Sequence, residues 1–170
     1  KVSLSGEAFF EITPDQNNPF TIDAGKAKVK VLGTSFNVIT SNQDAAVEVF
    51  VKTGMILLSD NSGSKTLLLD SGYVGIIDSE KSARSVNENP NYMAWNTGVL
   101  VYDGQSLDIV FRDLKRVYNM EIIADDPSIL KETWTSPINN QAPDTIIRLI
   151  CYSFNLGYTK EGNVYHLSKK

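Results

Sequence analysis

The sequence predicts an α+β protein of two domains. An N-terminal all-β domain, sandwich or strand-coil, occupies residues 1–88, and a small domain of two β-α-β units occupies residues 89–170. Three observations carry this reading. Short apolar runs in the first half alternate with polar residues and are separated by Gly turns. A polar stretch then interrupts the apolar pattern at Ser79 to Asn91. Beyond it, helical periodicity enters and repeats itself after 36 positions, so that Gln105 falls on Gln141.

In chain order, the first clear strand is the run in which Ala27, Val29 and Val31 alternate with Lys26, Lys28 and Lys30. A period of two gives a strand one buried and one wet face, and lysines on the wet face discourage pairing at an edge. Runs at Phe36 to Thr40, Ala46 to Lys52, Met55 to Ser59, Lys65 to Asp70 and Tyr73 to Asp78 follow, divided by Gly33, Gly54, Asn61-Ser62-Gly63 and Ser71-Gly72. Strands so spaced, with Gly turns, predict an all-β architecture. The Ser, Glu, Lys and Asn of residues 79–91, with Pro90, mark the domain boundary, and Trp95 opens new strand-like sequence.

Residues 102–122 match 138–158 under the same shift. Asp108 falls on Asp144, Arg112 on Arg148 and Asn119 on Asn155, while Val110, Phe111, Leu114 and Tyr118 fall on Ile146, Ile147, Ile150 and Phe154. These apolar positions form one stripe on each of two helices. Ser106 is placed to cap the first helix, and Pro143 to begin the second. Each first-turn Asp has an Arg four residues on, a pair worth ~0.2–0.5 kcal/mol, and each Asn sits where a helix stops in the left-handed conformation. The shared identities therefore read as structural.

Composition removes many functions. The 170 residues are 42% hydrophobic and 21% charged, with 16 Lys and Arg against 20 Asp and Glu. That composition suits a folded core, and a net charge of −4 without a basic cluster argues against nucleic acid. Arg148 interrupts the longest apolar run, so no segment reads as a membrane span. Because the chain opens at Lys1 in a strand pattern, it is expected to be part of a longer protein. One cysteine, Cys151, and one histidine, His166, leave no internal zinc site, disulfide or Cys/His pair. Cys151 reads as a core thiol and His166 as a surface strand residue.

Catalytic constellations are equally sparse. Glu7 and Glu11 share a strand face but stand roughly 13 Å apart, beyond the ~5–9.5 Å that glycosidases use. Asp125-Asp126-Pro127 reads as a turn, and no phosphate-binding Gly loop or serine with a nearby base occurs. No catalytic, metal or cofactor residue is assigned, and the chain reads as a non-enzyme. Trp95, Tyr102, Trp134, Tyr158 and Tyr165 leave a binding face open, for sugar stacking or a protein partner.

Specific blocks then resemble a known family. Gly6-Glu7-Ala8-Phe9-Phe10-Glu11-Ile12, Pro19-Phe20-Thr21-Ile22 and Val29-Lys30-Val31-Leu32-Gly33-Thr34-Ser35-Phe36-Asn37-Val38 together resemble FecR-type anti-sigma factors. Leu69-Asp70-Ser71-Gly72-Tyr73 departs mildly from the Gly-Glu turn usual there. Trp95-Asn96-Thr97-Gly98, Leu107-Asp108-Ile109-Val110 and Tyr118-Asn119 resemble the C-terminal domain that commonly follows FecR, which is similar to the secretin and TonB short N-terminal domain.

The resemblance implies the periplasmic region of a single-pass inner-membrane sensor. It would relay ligand occupancy of a TonB-dependent outer-membrane receptor to an extracytoplasmic-function sigma factor, which a cytoplasmic segment outside this chain would hold. No cofactor is implied. The expected partner is the receptor's signalling domain, added as a strand to an exposed edge of the second domain, with Val99, Val101, Tyr102, Trp134, Tyr158 and Tyr165 as candidate contacts. On this reading, alanine at Trp134 or Tyr158 weakens docking without unfolding the domain. The competing readings are a periplasmic glycan-binding module and a domain that assembles with its own copies.

Overall fold

The computed structural model describes residues 1–40 and 46–170. They divide into two compact units, Lys1–Glu88 and Asn89–Lys170. Among the described residues the fold is mixed α and β, with three α-helices, all in the second unit.

The described residues of the first unit form ten strands: β1 (Val2–Ser3), β2 (Glu7–Glu11), β3 (Phe20–Asp23), β4 (Ala27–Val31), β5 (Ser35–Thr40), β6 (Val47–Thr53), β7 (Met55–Asp60), β8 (Thr66–Asp70), β9 (Tyr73–Ile77) and β10 (Ser82–Val86). They make two five-stranded sheets, in the orders β1-β3-β4-β7-β8 and β10-β9-β6-β5-β2. One apolar cluster draws Ile22, Val29, Ile56, Leu58 and Leu69 from the first sheet and Phe36, Val38, Val49, Val51 and Ile77 from the second. A core shared by two sheets is a β-sandwich, which settles the alternative of sandwich or strand-coil.

Alternation in β4 is as expected: Ala27, Val29 and Val31 are buried and Lys28 and Lys30 exposed. Its place is not. β4 is the middle strand of its sheet, so these lysines guard no edge. β10 lies inside the polar stretch read as a boundary. All five of its residues are exposed, so no buried face marks it in the sequence, and it is held by pairing with β9 and by Arg84, which donates to Asp70 Oδ2 at 2.8 Å and stacks on the Tyr73 ring. β2 escaped the alternating pattern because Ala8, Phe9 and Phe10 are all half-buried.

The second unit contains α1 (Ala94–Thr97), β11 (Val99–Ser106), α2 (Leu107–Tyr118), β12 (Glu121–Ala124), a 3-10 turn (Ile129–Lys131), β13 (Thr133–Asn139), α3 (Pro143–Ser153), β14 (Leu156–Glu161) and β15 (Val164–Lys169). Trp95 thus opens a short helix rather than a strand. Each repeat is a strand, a helix and a strand, but its two strands enter different sheets. β11 pairs with β13 in a two-stranded antiparallel sheet, while β12 and β14 flank β15 in a three-stranded one, β12 parallel to it. Val110, Phe111, Leu114, Ile146, Ile147 and Ile150 join residues of both sheets in one core, and Tyr118 and Phe154 pack half-buried against it.

The shared identities do the same local work twice. Gln105 Oε1 accepts from the Asp103 amide, and Gln141 Oε1 from the Asn139 amide. Asn119 and Asn155 take φ of 53° and 52° where the helices end, a conformation that favours Asn or Gly. Arg112 bonds the Asp108 carboxylate at 3.1 Å, as expected. Arg148 reaches only the Asp144 carbonyl, because that carboxylate has other partners.

Gly33 has φ of 150°, and a side chain there would overlap Pro14. Gly33→Ala therefore loses stability to overpacking, about 1–3 kcal/mol beyond any backbone strain. At Gly63, also at positive φ, an added Cβ meets nothing, and Gly63→Ala costs only about 1–2 kcal/mol. Urea unfolding of both variants checks the order; equal losses would sink it.

Candidate functional site

An unpaired strand edge offers backbone donors and acceptors to a partner, so the edges of the second unit were the natural place to expect docking. In the two-stranded sheet both edges are closed at mid-strand. Asn140 donates to Gly98 O at 3.0 Å, and antiparallel alternation then turns the backbone of Val99 and Val101 outward. Asn91 occupies that outward position. Its Oδ1 accepts from the Val101 amide at 2.8 Å, and its Nδ2 donates to Val101 O at 3.1 Å and to Asp113 Oδ2 at 3.0 Å. Asn91 is 5% exposed, so one side-chain amide takes the place of a neighbouring strand. On β13, Pro137 lies opposite Val101 and has no N–H to offer.

These contacts change the candidate list. Val99 and Val101 do expose their side chains, but the edge beneath them is engaged. Tyr102, Trp134 and Tyr165 are core residues; the Tyr102 and Trp134 rings stack with centroids 5.7 Å apart. Burial, reinforced by the Asp113 carboxylate, pushes the Tyr102 hydroxyl pKa up. Tyr158 is half-buried beside Tyr165, and Trp95 is half-buried too. The structure therefore does not gather these aromatics into a face: strands that expose their backbone can still turn their large rings inward, since successive side chains point opposite ways.

The three-stranded sheet is different. Glu121 donates to Asn163 O and Asp125 to Leu167 O, both at 2.9 Å, so odd-numbered residues of β15 face β12 and even-numbered ones face β14. Their opposite numbers on β14 are Gly157, Thr159 and Glu161, which leaves the backbone of Tyr158 and Lys160 directed away from the sheet. β14 is thus an edge of six residues, longer than β12 on the far side, and Thr159, Lys160 and Glu161 are exposed along it.

Electrostatics pin β14 to α3. Asp144 Oδ1 accepts from Lys160 Nζ and from the Tyr165 hydroxyl, both at 2.6 Å. Those two bonds hold the Asp144 carboxyl below the usual aspartate value, and the same pairing pushes Lys160 up to about 12. The first half has no equivalent, because Ala124 stands where Lys160 does after the 36-residue shift. Neither Asn91 nor the Lys160 contact was legible locally, since their partners lie 10 and 16 residues away.

Cys151 is buried, and burial pushes its thiol pKa up. His166 Nδ1 lies 3.9 Å from Asp125, and Asp126 closes its turn by accepting from Ser128 at 2.9 Å. Among the described residues no group of His, Cys, Asp and Glu is arranged to hold a metal ion, and no helix is long and apolar enough to cross a membrane.

Two family models match the chain: "FecR protein" over residues 1–57 and "FecR, C-terminal" over residues 99–167. The chain is similar to two crystal structures of a proposed anti-sigma factor from Parabacteroides distasonis. One matches at 27% identity and a TM-score of 0.64 over 99% of this chain and 80% of that one. The other matches at 28% identity and a TM-score of 0.63 over 100% of this chain and 80% of that one. No curated protein matches.

Trp134→Ala is expected to cost about 3–5 kcal/mol, as loss of a buried indole does, and to be read as unfolding of the second unit rather than as a clean loss of a contact; a native thermal transition would contradict its place in the core. Because the Asp144 pKa is depressed by folding, its contribution is complete above the ordinary aspartate range and is lost as pH falls through it. Acid titration of Asp144→Asn should show a shallower loss of stability below pH ~4 than the parent chain. Identical acid profiles would remove the Lys160 and Tyr165 bonds as the cause.

Proposed function

Because the chain belongs to the FecR family, we propose that it is the sensing and signal-relaying region of an anti-sigma factor, working on the periplasmic side of the inner membrane. In this reading a membrane anchor and a sigma-binding segment belong to the rest of the protein. The incoming signal is a TonB-dependent outer-membrane receptor that has bound its ligand, and the receptor presents its own small signalling domain to the second unit.

The observation that carries the docking mode is the contrast between edges. β11 is engaged by Asn91 and β13 interrupted by Pro137, whereas β14 presents the backbone of Tyr158 and Lys160 along an open edge. A strand added there gains backbone hydrogen bonds, and the exposed Thr159 and Glu161 contribute side-chain selectivity. β14 is also tied to α3 through Lys160 and Asp144, so an added strand meets a rigid edge with little ordering cost.

Calorimetric titration with the signalling domain of the receptor encoded beside this protein should give saturable one-to-one binding. Hydrogen exchange on the complex should then show added protection at the Tyr158 and Lys160 amides and none at Val101. Absence of binding with the fold intact by circular dichroism would overturn the receptor reading. Binding with protection on β11 instead would overturn the choice of edge alone.

A further inference from the structure

The first unit carries a feature that docking at β14 leaves unused. The outer face of the β1-β3-β4-β7-β8 sheet holds a groove of about 640 Å³, within the range of specific binding sites. Its floor is apolar. Met55, Leu57 and Leu68 are 52%, 40% and 52% exposed, and register makes the row continuous: Lys30 pairs with Leu57, and Leu57 with Leu68. Pro14 and Pro19 wall one side, on a segment pinned by the Asp15 amide donating to Leu32 O at 2.7 Å. In a sandwich the outer face faces water, and an alternating strand would carry polar residues at these positions.

Charge indicates what lies there. Lys28 and Lys30 stand on the same face of β4, two residues apart, with Lys26 just before the strand. β4 is the middle strand, so the lysines protect no edge. Nearby acids are already engaged: Asp23, although close to Lys28, pairs with Lys1 at 3.2 Å, and Asp70 pairs with Arg84 at 2.8 Å. Asp60 is held within its own turn by the Ser62 and Ser64 hydroxyls. Lys26, Lys28 and Lys30 form no ion pair among the described residues. Lys30, which lines the groove, thus stands without an ion pair among the described residues, while Lys28, opposite Asp23 across the ladder, shares that carboxylate with Lys1.

We propose that this face docks an extended, acidic segment of a partner protein, with apolar side chains on Met55, Leu57 and Leu68 and carboxylates along β4. The spacing selects an extended chain. Alternate residues of a strand repeat at about 6.6–6.8 Å, so carboxylates two residues apart on the partner match Lys28 and Lys30. A single-headed amphiphile would use Lys30 alone and leave Lys28, whose neighbour Asp23 is drawn to Lys1, without a full partner. Apolar contact supplies most of the affinity, and the lysines set direction and selectivity.

The test uses the whole chain and a fluorescein-labelled peptide of alternating Glu and Leu, with a Lys/Leu peptide as its counterpart. The acidic peptide should bind, more weakly as salt rises, and should shift NMR signals of β4, β7 and β8. Leu57→Ser and Lys30→Glu should each weaken it by about tenfold or more, while circular dichroism shows the fold kept, since both side chains are exposed. Failure of the acidic peptide to bind, equal binding of the basic peptide, or indifference to both variants would overturn the proposal. So would displacement of the peptide by sodium dodecanoate at one equivalent, which marks a small-amphiphile site, or a dimer in sedimentation that Leu57→Ser abolishes, which marks a second copy as the occupant. None of these outcomes depends on the receptor domain.

Discussion

Neither half of the second unit can complete a core by itself. Each repeat sends its first strand to one sheet and its second strand to the other, so a single half presents one helix stripe to two strands that do not touch. The stripe of α2 lies against β11 and β12 in a core that it shares with α3, and Val110, Leu114, Ile146 and Ile150 are wholly buried there. The first unit meets the same need more simply, by closing two sheets over one layer of alternating side chains. In both units it is pairing between distant strands that makes the local patterns useful.

That shared skeleton throws the differences between the halves into relief. Gln105 and Gln141 make the same backbone contact, and Asn119 and Asn155 end their helices in the same conformation. The divergence lies at the edges: Lys160 bonds Asp144 where the first half has Ala124, and Asn91 shields β11 with a side chain drawn from outside the repeat. One sheet is closed to partners and the other is left with a long, stiffened edge. Common positions maintain the fold, and the positions at which the copies part decide where it can be approached.

Much of this architecture is legible in the sequence because burial in β4, α2 and α3 follows a simple period. The two-unit organisation and the repeated strand-helix-strand order rest on such patterns. What escapes is of two kinds. β10 has no buried face, so pairing and not periodicity defines it, while β2, read as a strand through Glu7 and Glu11, has three consecutive half-buried residues in place of an alternating face. Contacts such as Asn91 with Val101, or Lys160 with Asp144, depend on loops that bring together residues far apart in the chain. The same limit explains the aromatics: residue type shows that Tyr102, Trp134 and Tyr165 bear large surfaces, but only the fold shows that those surfaces are already spent on each other and on the core.

The dealing of strands between sheets also bears on how the two halves come to meet. A lone strand-helix-strand piece of about 36 residues is below the size at which a single core sustains itself without help. Built on this plan, it acquires a core only beside its twin and β15, the strand that lies between β12 and β14. Holding both halves in one chain makes their encounter intramolecular, and the high local concentration supplied by the tether removes any dependence on abundance. Within one chain a substitution in one half leaves the other unchanged, which is how Lys160 can stand where the first half has Ala124.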